Sequence, residues 1–198
     1  MQPGATLIFL DANILYSRTL RDWFSLISLN SGTEGIALRW SEDVMTEFLY
    51  NRRRDNPAAS DNEIGRWRNV LTSSFPSAMI SGYEIDPLLL EGQDKFDAHV
   101  LAAAAHGGVD YLVTANHKDF EEYEGQFEFE IFLPDDMLCL MKERRPDAVL
   151  AAMKKQCQYW AARSESKALP AALIDAGAPN FADYIRTQLA SLALSGKY

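Results

Sequence analysis

The stretch Thr-Leu-Ile-Phe-Leu-Asp-Ala-Asn-Ile-Leu (residues 6–15) decides how the fold is interpreted. Residues 6–10 form a short apolar run, which predicts a strand buried on both faces. Asp11 ends this run, and Asn13 lies where the cap of a following helix is expected, a helix that should reach about Leu29. A buried strand that leads directly into a helix is typical of a parallel α/β sheet.

The alternation of apolar runs and helical segments continues to about residue 133. Further strands are predicted over residues 36–40, 111–114 and 129–133, and helices over about 42–53, 61–71 and 94–105. A short strand among loops is expected between residues 74 and 92. Such alternation predicts a three-layer α/β/α fold with a central parallel sheet of four or five strands.

From Pro134 onward the pattern changes, because helical segments follow one another and no strand pattern returns. Pro146, Pro170 and Gly177 are the breaks between these segments. We therefore predict an α/β domain over residues 1–133 and a C-terminal helical extension over residues 134–198.

Composition narrows the class of protein. Hydrophobic residues make up 47% of the 198, which favours a packed core over disorder. The sequence contains no apolar run of about 20 residues and no signal peptide pattern, so we expect no membrane segment. Two cysteines, Cys139 and Cys157, predict no disulfide framework and fit a cytoplasmic location.

The charge distribution bears on possible partners. A net charge of −9 argues against a nucleic-acid ligand, unless bound cations invert the local field. Arg52, Arg53 and Arg54 form the one dense basic run and are candidates for RNA binding. The alternative is a solvated helix end, where cations are favoured by the helix dipole.

Three acidic residues occupy positions that a bound cation would explain. Asp11 follows a predicted strand, at the edge of a parallel sheet where ligands bind, and Glu47 lies in the second long predicted helix. Asp97 is in line with Val100 and Leu101 on the apolar stripe of its helix, where an unpaired carboxylate is costly. The alternatives are a turn for Asp11, solvation for Glu47, and contact with free helix amides for Asp97.

A polar cluster, Thr-Ala-Asn-His-Lys-Asp-Phe, follows the predicted strand 111–114, starting at its last residue, Thr114. Asn116 and Asp119 in this cluster also lie beyond the carboxyl end of a parallel strand. The alternative is a turn in which Asn and Asp side chains bond to their own backbone.

Four stretches together resemble the PIN-domain family, and most closely the VapC-like toxin ribonucleases of type II toxin–antitoxin pairs. They are Leu-Asp-Ala-Asn-Ile-Leu (10–15), Trp-Ser-Glu-Asp-Val-Met-Thr-Glu-Phe (40–48), Asp-Lys-Phe-Asp-Ala-His-Val-Leu-Ala-Ala-Ala (94–104) and Leu-Val-Thr-Ala-Asn-His-Lys-Asp-Phe (112–120). Their order and spacing are those of the family, and the resemblance covers about residues 6–133.

The resemblance implies a cluster of acids that binds Mg²⁺ or Mn²⁺. Asp11, Glu47 and Asp97 match the three core acids of the family, as metal ligands and catalytic residues. Asn116 stands where many relatives have a fourth acid; this departure weakens the second-ion site, and Asp119 is the candidate to supply the missing charge. Asn13, Asp94 and Thr114 are expected to contact these acids and to hold their carboxylates in the orientation that a metal ion requires.

The implied activity is hydrolysis of RNA phosphodiester bonds by two metal ions, with 5′-phosphate and 3′-hydroxyl products. An antitoxin partner and a homodimer are expected from the same resemblance. The alternatives are a non-catalytic PIN-like module that binds RNA or protein, and a structure-specific DNA nuclease. His99, His106 and His117 show no HExxH pattern and have no cysteine nearby, so we expect them to be structural or exposed.

Overall fold

A five-stranded parallel sheet forms the centre of the structure, a computed structural model that describes residues 4–91, 97–161 and 167–194. Its strands are β1 (Thr6–Leu10), β2 (Ile36–Ser41), β3 (Met79–Ile80), β4 (Tyr111–Val113) and β5 (Glu130–Phe132). They lie in the order β3-β2-β1-β4-β5, and every neighbouring pair is parallel. The prediction of an α/β fold with a parallel sheet of four or five strands is confirmed.

Helices connect the strands and continue after the last one. The helices before β5 are α1 (Ala12–Tyr16), α2 (Arg18–Asn30), α3 (Glu42–Asp55), α4 (Asp61–Ser74) and α5 (Ala98–His106). After β5 come α6 (Pro134–Arg144), α7 (Pro146–Ala161), α8 (Leu169–Asp175) and α9 (Pro179–Leu194). Short 3-10 segments cover Pro87–Glu91 and His117–Tyr123.

Both faces of the sheet are covered. Ile8, Phe9 and Leu10 follow one another in β1, and each is at most 1% exposed. Successive side chains of a strand point to opposite faces, so burial of all three requires packing on both sides. This arrangement is compatible with the three-layer α/β/α architecture expected from the sequence.

The single helix predicted from Asn13 to about Leu29 is instead two helices, α1 and α2. Ser17 adopts an extended conformation between them, and its hydroxyl oxygen accepts a hydrogen bond from the Leu20 amide at 3.4 Å. The cap of α1 is Asp11, which accepts from the Ala12 amide at 2.6 Å. Asn13 therefore lies inside the first turn, and its side chain is available for contacts outside the helix.

The C-terminal helices belong to the same buried core as the sheet. Met137 and Met141 of α6 line a small cavity together with Ile8 of β1, and the ring of Phe181 in α9 meets Trp23 of α2 edge-on at 5.1 Å. All five side chains belong to one hydrophobic cluster. The expected boundary between residues 133 and 134 stays a prediction, but the packing across it is continuous.

A buried carboxylate fixes the start of the last helix. Asp135 accepts hydrogen bonds from the backbone amides of Asn180 and Phe181, at 3.0 and 2.9 Å, and from the Asn180 side chain at 2.9 Å. These amides belong to the first turn of α9 and have no partner within the helix. Asp135 thus connects α6 to α9 by capping one helix from another.

Two expectations from composition can be compared with the structure. Among the described residues, no helix is both long enough and apolar enough to cross a membrane. Cys139 and Cys157 are both free thiols, in agreement with the expected lack of a disulfide framework.

Replacing Phe181 by alanine tests whether the last helix is part of the core. The phenyl ring is fully buried against Trp23, so we expect the free energy of unfolding to fall by about 3–5 kcal/mol in urea titrations. Leu194→Ala on the same helix is the control, because Leu194 is 91% exposed and its loss should change stability by less than about 0.5 kcal/mol. Equal effects of the two substitutions would contradict the packing described here.

Candidate functional site

The order of the strands places the switch point of the sheet between β1 and β4, and we call the carboxyl ends of these two strands the crevice. The chain continues from β1 to β2 and β3 on one side of the sheet, whereas β4 and β5 extend the sheet on the other side. Between two such neighbours the connecting segments lead away in opposite directions and leave a gap at the carboxyl ends of the strands. Ligands of open α/β sheets bind at this position. Asp11 lies there, and its amide donates to the Val113 carbonyl of β4 at 3.1 Å.

The Asp11 carboxylate is buried and held by three hydrogen bonds. One oxygen, Oδ1, accepts from the Ala12 amide at 2.6 Å. The other, Oδ2, accepts from the Asn13 side-chain amide at 2.6 Å and from the Thr114 hydroxyl at 2.8 Å. These donors fix the rotamer of the carboxylate and leave about one of its four lone-pair positions for another ligand.

Thr114 and Asn13 form a network that links the two strand ends. The Thr114 hydroxyl donates to Asp11 and accepts from the Asn13 side chain at 3.1 Å and from the Asn116 amide at 3.0 Å. The side-chain oxygen of Asn13, Oδ1, accepts a hydrogen bond from the Ala115 amide at 3.0 Å. Asn13 and Thr114, two of the three residues expected to orient the acids, therefore contact Asp11 directly. Their role around a metal ion stays a prediction.

Two charged or titratable side chains approach Asp11 from other helices. Burial raises the pKa of the Asp11 carboxyl, and the hydrogen bonds from Thr114 and Ala12 lower it in part. The Glu47 carboxylate of α3 raises this pKa further by repulsion, and His99 of α5 opposes it. Asp11, Glu47 and His99 are thus close enough to interact electrostatically, although they come from three separate segments of the chain.

His99 is the neighbour of Asp11 to which the sequence assigned no role at the site. Its side chain is half-buried, and its Nδ1 atom is buried with no hydrogen-bond partner among the described residues. A ring nitrogen buried without a partner is costly, so a ligand or water at this atom would be favourable. The available sequence signal was its position, two residues after Asp97 in the same motif.

Asp97 directly precedes α5 and is half-buried. Its side chain makes no capping hydrogen bond to the first turn of α5, so the alternative of a helix-start cap does not apply. The structure brings His99, two residues later, into electrostatic range of Asp11. Asp94, the other acid expected in this motif, lies outside the described residues.

Asn116 and Asp119 lie beyond the carboxyl end of β4, as the sequence predicted, but toward a separate surface. Both line an open pocket of about 400 Å³ together with His117 and Lys118. The Asp119 amide donates to the Asn116 backbone carbonyl at 3.0 Å, whereas the Asn116 side chain makes no capping hydrogen bond, so Asn116 does not form the side-chain turn considered as the alternative. The contacts of the described residues connect Asn116 to Asp11 through Thr114, whereas the metal role of Asp119 stays a prediction.

The Arg52–Arg54 run forms the last turn of α3. The guanidinium of Arg52 lies over the ring of Trp67 at 5.3 Å from its centroid, Arg53 donates to the Ala59 carbonyl, and Arg54 pairs with Asp55 at 3.3 Å. These contacts match the alternative of a helix end with cations near its dipole. A role in RNA binding stays a prediction.

The donor set at the crevice suits one hard cation. Asp11 and Glu47 offer carboxylate oxygens, and Mg²⁺ is commonly held by one or two carboxylates with water in the other positions. Among residues 4–91, 97–161 and 167–194, no three His, Cys, Asp or Glu side chains form a group that could hold a metal. Carboxylate oxygens are ligands that suit Mg²⁺ or Mn²⁺, and the two ions expected from the sequence stay predictions.

Comparisons with known proteins assign no family to this chain. Searches of protein-family models, of curated proteins and of solved structures each returned no match. The function must therefore be argued from the residues of the crevice.

The pH dependence of stability tests the burial of Asp11. The folded state holds a proton on this carboxyl more tightly than the unfolded chain, whose pKa is near 3.8. As pH rises from 3.8 through the raised pKa of the folded state, the free energy of unfolding of the wild type should fall relative to Asp11→Asn. The measurement is urea unfolding of both proteins in EDTA across this range. A gain of the wild type over the variant with rising pH would show that Asp11 is not desolvated.

Proposed function

We propose that this chain is a metal-dependent ribonuclease of the PIN-domain type, which hydrolyses RNA phosphodiester bonds in the crevice between β1 and β4. The observation that carries the proposal is a buried carboxylate at the switch point of the sheet, with a second carboxylate within electrostatic range. Two like charges near a desolvated site are unfavourable, and they are relieved either by protonation of Asp11 or by a cation that joins them. The four motifs that resemble the family supply the residues of this crevice.

The residues of the crevice have separate tasks in this proposal. Asp11 and Glu47 would hold Mg²⁺ or Mn²⁺, with Asp97 as a third ligand. The bound ion would lower the pKa of a water molecule and stabilise charge on the reacting phosphate. Asn13 and Thr114 keep the Asp11 carboxylate in one orientation, so that little reorganisation is needed when the ion binds. The expected products carry a 5′-phosphate and a 3′-hydroxyl.

The biological setting of the activity is part of the same proposal. A VapC-like toxin would be restrained by an antitoxin that covers the acidic crevice. An arginine from such a partner would pair with Asp11 and Glu47 by charge-assisted hydrogen bonds. The partner and any homodimer remain predictions from the resemblance.

A second candidate function is a non-catalytic module with the same fold. It is favoured by the finding that no three acidic or other ligating side chains group together among the described residues, and by an Asn at the fourth acidic position. A crevice with fewer carboxylates would bind one ion weakly and position no second ion. The module would then bind RNA or protein without cutting it.

Incubation with labelled single-stranded RNA and matched DNA, in Mg²⁺, Mn²⁺ or EDTA, distinguishes these functions. We expect cleavage of RNA with either metal, none in EDTA, and a loss of at least about 100-fold in Asp11→Asn and Asp97→Asn. Cleavage that survives EDTA and both substitutions would overturn the proposal. Binding of RNA without cleavage under every metal would favour the module, and cleavage restricted to DNA would indicate a DNA nuclease.

Asp110→Asn is the matched control for these variants. Asp110 is at the amino end of β4, where its carboxylate accepts from the Leu7 amide at 2.7 Å. The substitution removes the same charge from the opposite edge of the sheet. We expect it to leave the cleavage rate unchanged, so that an equal loss in Asp110→Asn would attribute the effect to net charge or folding.

A further inference from the structure

A second concave surface, lined by arginines, lies among α2, α3, α4 and α7. It is a cavity of about 620 Å³. Its cationic and aromatic lining residues are Arg18, Arg21, Arg52, Arg66, Trp67 and Tyr159. Among the described residues that line it, Glu63 is the one acid. We call this surface the arginine cavity.

Trp67 forms one wall of the arginine cavity and supports two guanidinium groups. The Arg21 guanidinium lies 4.4 Å from the centroid of the Trp67 ring, and that of Arg52 lies 5.3 Å from it. Both distances are in the range of cation–π contacts. Arg21 is also held by a 2.6 Å hydrogen bond from its Nη1 to the Leu15 carbonyl, and is almost fully buried. These two charges therefore occupy fixed positions.

The opposite wall is formed by the end of α7. The Nη2 atom of Arg18 donates to the Tyr159 hydroxyl at 2.7 Å, and its guanidinium lies 4.7 Å from the centroid of the Trp160 ring. About half of the Arg18 side chain is exposed, and Arg66 is exposed as well. These two arginines can therefore contact a ligand without leaving the fold.

The positive charges of the arginine cavity are only partly balanced. Asp22 lies 3.8 Å from Arg18 and 3.7 Å from Arg21, which are long distances for ion pairs. The Glu63 carboxylate accepts from the Ser60 amide and hydroxyl, at 2.7 and 3.0 Å, in a helix capping box. Arg52 and Arg18 repel Arg21, and Asp22 opposes this repulsion as the largest single charge effect on Arg21, in a chain whose net charge is −9.

Arg52 gives an independent sign of a missing ligand. Its Nε atom is buried and has no hydrogen-bond partner among the described residues. A charged donor left without an acceptor is unfavourable, and an anion in the cavity would remove this cost. Burial lowers the pKa of Arg21, Asp22 opposes this effect, and the positive charges of Arg52 and Arg18 lower the pKa further. An anion near these groups would relieve the repulsion.

We propose that the arginine cavity binds a phosphorylated nucleotide unit, either a free nucleotide or one position of a single strand of nucleic acid. Guanidinium groups match phosphate oxygens in geometry and charge. The exposed part of Tyr159 provides an aromatic ring beside the guanidinium groups on which a base can stack. The volume of the cavity falls within the range of small-ligand pockets.

The position of the arginine cavity relates it to the crevice. Glu47 and Arg52 lie on the same helix, five residues and about 7.5 Å apart along its axis. Five residues also turn the helix by about 140°, so a single strand bound in the cavity would reach Asp11 only by passing around α3. In that form the inference rests on the proposed function and adds a substrate contact to it. A free nucleotide would need no cleavage activity.

The test is direct binding in EDTA, where cleavage and ion-mediated binding at the crevice do not contribute. Fluorescence anisotropy would follow a labelled RNA of about ten nucleotides, with a nucleoside diphosphate as the competing small ligand. We expect salt-dependent binding, weakened at least about tenfold in the double variant Arg18→Gln/Arg66→Gln. Competition by the nucleoside diphosphate would identify a free nucleotide, and binding of the RNA alone would identify a strand.

The matched control is the double variant Arg68→Gln/Arg186→Gln, which removes the same charge. Arg68 is on the same helix as Arg66 but pairs with Glu42 at 2.7 Å, and Arg186 pairs with Asp183 on α9. Binding by the control should stay within about twofold of the wild type. Circular dichroism and urea unfolding would verify that both double variants fold.

Three results would overturn the inference. They are no binding of either ligand up to about 1 mM at about 50 mM salt, equal losses in the two double variants, and tighter binding of an acidic peptide than of either nucleotide ligand. The same measurements distinguish a failure of the arginine cavity from a failure of the nuclease proposal. RNA that is cleaved but binds equally well to the Arg18→Gln/Arg66→Gln variant contradicts the arginine cavity alone, whereas binding without cleavage contradicts the nuclease alone.

Discussion

One buried carboxylate connects the two halves of the sheet and defines the candidate site. Asp11 follows β1, caps α1, and accepts a hydrogen bond from the Thr114 hydroxyl at the end of β4. The same group is desolvated and repelled by Glu47, which raises its pKa. Asp11 therefore contributes to the pairing of β1 with β4, to the start of α1, and to the charge at the candidate site. Its burial is tolerated because three donors surround it, and a cation would complete its coordination.

The rest of the fold supports this position by covering the sheet. The central strands are buried on both faces, so helices are required on either side, and the C-terminal helices contribute to the same core. Asp135 capping α9 and Phe181 packing on Trp23 bind the last helix to the body. A packed scaffold of this kind suits a site whose residues, Asp11, Glu47 and His99, come from three separate segments of the chain.

Charge is distributed unevenly over the molecule, and the two inferences follow from that distribution. The crevice concentrates negative charge at Asp11 and Glu47, whereas the arginine cavity collects guanidinium groups around Trp67. Helix α3 joins the two surfaces, because Glu47 lies in its middle and Arg52 in its last turn. The proposed cation site and the proposed anion site therefore involve the same helix.

Local patterns in the sequence determined the elements whose contacts are close along the chain. The apolar run of residues 6–10 specified β1, Ser41 specified the start of α3, and Gly108, with a φ of 54°, followed the end of α5. They also predicted the parallel sheet. The sequence pattern predicts Asn13 as the cap of α1, whereas the cap in the structure is Asp11. A pattern of residue types does not show that the Asn13 side chain will contact Thr114 and Ala115 after β4.

The tertiary structure alone decided the contacts between distant segments. Thr114 meets Asp11 across 103 residues, and His99 approaches it from α5 although nothing in its own motif required this. Arg18, Arg21 and Arg52 all line the arginine cavity. The sequence pattern predicts only an RNA contact or a solvated helix end for Arg52. Such contacts depend on strand order and helix packing, and the local pattern around each residue does not specify them, although the family resemblance indicates Thr114 as a group near the acids.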